Sequence, residues 1–106
     1  MKKSRRVAYC IIYAPEVEDH FKALTARDVT TVLDSVPRQL GHEPTVATRN
    51  RKPLESNPVA PGELRLGHLR VYFEVEEEPV HLVKIVAVGH KDRERVLIGG
   101  VEVKLR

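Results

Sequence analysis

The stretch from Glu63 to Val75 constrains the fold more than any other. Apolar and polar residues alternate on both sides of Gly67-His68. Glycine leading a two-residue loop favours a type II′ turn, whose twist matches that of the strands it joins. Such a turn sets the register: Leu66 opposite Leu69, Arg65 opposite Arg70, Leu64 opposite Val71. Side chains alternate across a strand, so Leu64, Leu66, Leu69, Val71, Phe73 and Val75 form one apolar face. Arg65, Arg70, Tyr72 and Glu74 fall on the other.

Arg65 facing Arg70 is a like-charge cross-strand pair, which costs stability unless something compensates it. An anion would do so, because two guanidinium forks match a phosphate or carboxylate. The alternative is two solvated arginines on an open sheet face, with Glu63 and Glu74 as counter-ions.

A chain of 106 residues is one domain with one modest core. Its net charge of +3 permits a polyanionic partner without requiring one. Cys10, the one cysteine, lies in an apolar run and reads as a small hydrophobe. A reducing cytoplasm is the natural compartment. No run approaches the ~20 apolar residues of a membrane span.

Residues 1–6 are a basic lead-in, and Val7–Tyr13 reads as a strand covered on both sides. Pro15 suits the first position of a helix carrying Val17, Phe21 and Leu24 on one face. Thr25 and Asp28 open a second helix with Val29, Val32, Leu33, Val36 and Leu40 on one stripe, kinked or shortened by Pro37 and stopped by Gly41. The two helices form an αα-hairpin over one sheet face. Residues 44–61 are a long connecting loop whose Arg49, Arg51 and Lys52 are candidate phosphate contacts. His81–Val88 reads as a central strand. A three-residue turn at 77–79 places Lys84 beside Tyr72 and Ile85 beside Val71, whereas a two-residue turn would bury Lys84. Residues 99–106 are a tail, either an edge strand or an exposed ribbon.

The helical hairpin followed by Leu-Arg-Leu-Gly-His-Leu-Arg-Val-Tyr-Phe-Glu-Val and Val88-Gly89-His90-Lys91 resembles the RelE/ParE superfamily, the toxins of type II toxin–antitoxin pairs. The resemblance spans roughly residues 7–98. It implies an α+β fold: a curved antiparallel sheet of about four strands with an N-terminal αα-hairpin packed on one face. It also implies a ribosome-dependent mRNA endonuclease acting without metal or cofactor. Cationic groups would stabilise phosphorane charge while a proton donor assists the leaving oxygen. The alternatives are a ParE-like inhibitor of DNA gyrase that hydrolyses nothing, or an inactive antitoxin-binding module.

Carried over position by position, Arg70 matches the arginine after the turn and Arg65 a basic position on the preceding strand. Lys91 stands at a catalytic arginine and Leu97 at the usual catalytic tyrosine. His90 and His68 flank the face as substitute proton carriers or phosphate ligands. The expected catalytic set is therefore Arg65, Arg70, His90 and Lys91. RNA or phosphate contacts come from Arg49, Arg51, Lys52 and His68. Val96, Ile98, Val101 and Val103 form the surface for a cognate antitoxin. No histidine pair has metal-ligand spacing.

Overall fold

The computed structural model describes residues 8–45, 51–53 and 60–103, with the side chains of 51–53 outside the description. The architecture is α+β. The elements run β1 (Cys10–Tyr13), α1 (Glu16–Lys22), α2 (Ala26–Leu40), β2 (Arg51–Pro53), β3 (Gly62–Leu66), β4 (Leu69–Glu76), β5 (Leu82–Asp92), β6 (Arg95–Ile98) and β7 (Val101–Val103). Six strands pair antiparallel in the order β2-β3-β4-β5-β6-β7, and β1 adds parallel to β5.

The β3–β4 hairpin has the expected register, with Arg65 opposite Arg70 and Leu66 opposite Leu69. Gly67 has φ 63° and His68 stays out of the left-handed region, as a type II′ turn requires. The sheet has more strands than the four expected. Arg51–Pro53, expected within a loop, forms β2 against β3; proline is tolerated there because β2 is an edge. The tail supplies edge strand β7, turned back by Gly99 and Gly100 with φ 63° and 82°.

Both helices lie on one face. α2 starts at Thr25, whose hydroxyl accepts from the Asp28 N–H at 3.1 Å. It continues through Pro37 to Leu40 instead of stopping, because a proline in the last turn costs one hydrogen bond near an already unpaired end. Pro15 sits at the N-cap of α1, one place earlier than expected, with helical φ and ψ. Val17 of α1 and Val32, Val36 and Leu40 of α2 pack with Leu64, Leu69, Val71, Phe73, Val83, Ile85 and Val88 into the main core. Leu33, expected on the buried stripe, is 47% exposed.

Register between β4 and β5 differs from both expected turns. Residues 77–81 separate the strands, so Lys84 pairs with Glu74, Phe73 with Ile85, and Val71 with Val88. Lys84 still lies on the face away from the helices, opposite an acidic residue. The ladder shifts between Tyr72 and Phe73, leaving Val86 without a partner on β4. This bulge reverses the alternation. Ile85 and Val88, three residues apart, therefore both reach the main core. The face expected to be polar carries a second, smaller core of Ala60, Tyr72, Ala87 and Val96, with Val86 and Ile98 against it.

β4 runs along one side of β5, so β1 and β6 share the other. β1 pairs with Leu82–Ile85 and β6 with Gly89–Asp92. In the seam between them, the Val88 N–H donates to Nδ1 of His20 on α1 at 3.3 Å. Burial holds the His20 imidazole below its ordinary pKa, with Glu16 and Asp19 pulling the other way. The acceptor role requires the neutral ring. The unfolded chain takes up this proton first, so the His20 contribution is complete above about pH 6.5 and is lost as pH falls through the lower folded-state value. Chemical denaturation from pH 7.5 to 5 should show this loss, and His20→Gln should flatten it. Gly67→Ala should destabilise by about 1–2 kcal/mol through backbone strain alone. A Cβ there meets no atom within 4 Å, so the mutant should show a lower denaturation midpoint with an unchanged slope.

Candidate anion-binding face

The face opposite the helices collects Glu63 and Arg65 from β3, Arg70 and Tyr72 from β4, and Lys91 from β5. Glu63 and Arg65, two residues apart on one strand, project the same way. Arg65 Nε donates to Glu63 Oε1 at 2.8 Å. The carboxylate is buried, while the Arg65 side chain is 42% exposed. One edge of this guanidinium is fixed, and its two Nη groups make no hydrogen bond among the described residues.

Arg70 is anchored differently. Its Nη1 donates to the carbonyl oxygens of Gly67 at 2.7 Å and Leu69 at 2.9 Å. The residue is 8% exposed, and no carboxylate pairs with it among the described residues. Two carbonyl dipoles partly offset the desolvation of the buried charge but do not neutralise it. Glu63, Arg65 and Arg70 together carry one negative and two positive charges, a local excess of one positive charge. Arg65 is thus partly exposed and paired with Glu63, whereas Arg70 is buried on two carbonyl oxygens with no carboxylate partner among the described residues. Each is gripped along one edge.

Tyr72, opposite Glu63 and two residues from Arg70, is fully buried, and its hydroxyl meets no partner at hydrogen-bonding geometry among the described residues, although the Glu63 carboxylate is close enough to act on it. Burial raises its pKa well above the usual phenol value; Glu63 adds to the rise, and Arg70 and Arg65 oppose it. A phenol so raised stays protonated near neutral pH. Tyr72 was expected on this face, but not as the centre of a small core. No signal in the sequence gives this, because Ala87 comes opposite Tyr72 only through the bulge at Val86.

Lys91 pairs with Val96 and is exposed on the same side. Its backbone N–H donates to the His68 carbonyl at 2.7 Å, tying β5 to the hairpin turn. His90 does not join the arginines. It pairs with Leu69, a main-core residue, so the pleat directs it to the helix side. Its Nδ1 is buried without a partner, and its ring lies 6.4 Å from that of His68. His68 is also on the helix side, its Nε2 3.0 Å from Oδ2 of Asp28 in α2. Neither histidine therefore reaches an anion held by Arg65 and Arg70. Leu97 pairs with His90 and shares that side.

Val96 pairs with Val103 and Ile98 with Val101, so the four expected docking residues share the arginine face. Val96 is nearly spent in the small core at 8% exposure, whereas Val101 is 67% exposed. Arg49 lies outside the described residues. Arg51 and Lys52 are paired through their backbones with Leu64 and Glu63. Among the described residues, no group of three or more His, Cys, Asp or Glu side chains could hold a metal ion, and no helix is long and apolar enough to cross a membrane.

Compared with protein-family models, curated proteins and solved structures, the chain finds no match in any of the three. Its function is therefore argued from the site.

Removing a buried hydroxyl that makes no well-formed hydrogen bond costs little and relieves desolvation. Tyr72→Phe should be neutral or stabilising by up to about 1 kcal/mol. Thermal or urea unfolding checks this, and a clear loss of stability would reveal a partner for the hydroxyl.

Proposed function

We propose that the protein is the toxin of a type II toxin–antitoxin pair, RelE-like, and that it engages the backbone of translated mRNA through the Arg65–Arg70–Lys91 face. One observation carries this reading. Two arginines stand opposite each other on one face, each held along one edge, with a local excess of positive charge. Held cations cost no reorganisation when an anion arrives, which is what stabilisation of a pentacoordinate phosphorus requires. The αα-hairpin on the other face agrees with the arrangement that the RelE/ParE resemblance implies. A cognate antitoxin would silence the toxin by covering this face, with Val101 and its neighbours as the apolar part of the contact. Cytoplasmic action at the ribosome belongs to the same proposal.

A second reading has a specific observation in its favour. The groups that would move protons stand elsewhere: His90 and His68 are on the helix side, Leu97 at the usual tyrosine position carries no proton to give, and the Tyr72 hydroxyl is buried. A face that binds phosphate or carboxylate without transferring protons suits a non-cleaving toxin acting on gyrase, or a module that binds an antitoxin only.

Purified protein incubated with programmed ribosomes separates the two. The first reading expects cleavage of the A-site codon, reduced about 100-fold or more by Arg70→Gln. Growth arrest with intact codons would move the assignment to the second reading, and a supercoiling assay with gyrase would then divide it. A folded Arg70→Gln protein that remained fully toxic would overturn both.

A further inference from the structure

On the far side of β5 from the arginine hairpin, the outer edge of β1 pairs with no strand among the described residues and lies beside an apolar groove. The amides of Cys10 and Ala14 donate to His81 at 3.0 Å and Ile85 at 2.8 Å, so the even-numbered residues of β1 spend their polar groups on β5. The odd-numbered residues turn outward. The Tyr9 N–H on that edge is taken by the Gly41 carbonyl at 2.9 Å. Beyond it, Ile11 and Tyr13 face no strand among the described residues.

The groove adjoins this edge at the end of β1. It is lined by Tyr13, Pro15, Val17, Glu18 and Phe21, with Leu33 from α2. Leu33 is 47% exposed, and Ile12, on the opposite side of β1, is 41% exposed. An added strand would thus meet apolar surface on both of its faces. The rim is acidic: Glu16, Glu18 and Asp19 lie in the first turn of α1. Asp19 is engaged by Lys22, whereas Glu16 and Glu18 make no salt bridge among the described residues. On a chain of net charge +3 this is a local reversal of sign.

We infer that the outer edge of β1 and the adjoining groove dock an extended polypeptide segment of a partner protein, one that alternates apolar side chains with lysine or arginine. Backbone pairing to Ile11 and Tyr13 would supply affinity, and the groove and Glu18 would supply selectivity. This surface involves none of the arginine-face residues, so the inference stands apart from the proposed function.

The test titrates the full-length, nitrogen-15-labelled chain with the synthetic peptide Lys-Val-Lys-Leu-Lys-Val-Lys. Saturable binding is expected, with shifts and slowed hydrogen exchange at the Ile11 and Tyr13 amides. Leu33→Lys, a change at a half-exposed position, should weaken it about tenfold or more, and so should Glu18→Lys. A peptide with glutamate in place of lysine should not bind. Lack of saturation, equal binding of the acidic peptide, or indifference to Leu33→Lys would overturn the inference. Protection of the same two amides through self-association without peptide would overturn it too, by assigning the edge to a second copy of the chain.

Discussion

The antiparallel ladder between β4 and β5, with its single bulge at Val86, decides which side chains meet. Without that extra residue, Ile85 and Val88 would lie on opposite faces, and the main core would lose one of them. With it, both reach the helices, and Ala87 lies beside Tyr72. A fully buried aliphatic side chain contributes about 1.5–3 kcal/mol, so placing both residues inward outweighs the ladder hydrogen bonds disturbed at the bulge. The two-faced character of the sheet follows from that choice. One face is covered by α1 and α2, while the other carries a small core ringed by charge.

The Gly67 turn acts on the second face. It fixes Arg65 opposite Arg70, and its own carbonyl oxygen then holds one of them. The backbone that creates the like-charge pair thus also supplies part of the compensation. Glu63 supplies another part, because a strand places residues two apart on the same side. The remaining excess charge distinguishes this face from an ordinary solvated surface.

The hairpin was legible in the sequence because its determinants are local: one glycine, a two-residue loop and strict alternation. The tail after Gly99-Gly100 read equally as an edge strand or an exposed ribbon, whereas the N-cap at Thr25 and the α+β class were legible for similar reasons. The β4–β5 register was not. Residues 82–88 are apolar at both parities apart from Lys84, so alternation could not reveal a bulge or the length of the preceding connection. β2 was hidden by Pro53 and its shortness. The placement of His90 failed for a different reason. Motif order put it next to Lys91 and hence near the arginines, but adjacent residues on a strand point to opposite faces. Leu33 illustrates a further limit, since helical periodicity marks a stripe but not where neighbouring elements stop covering it.

The seam on β5 has a consequence for how that side of the sheet is held together. Because the imidazole of His20 bridges the interval between β1 and β6, the two strands do not propagate a common hydrogen-bond network along that side. Each has its own stretch of β5, Leu82–Ile85 for β1 and Gly89–Asp92 for β6. The side of the sheet away from β4 is thus two separate ladders on one strand, with one ring from a helix of seven residues at the interval between them.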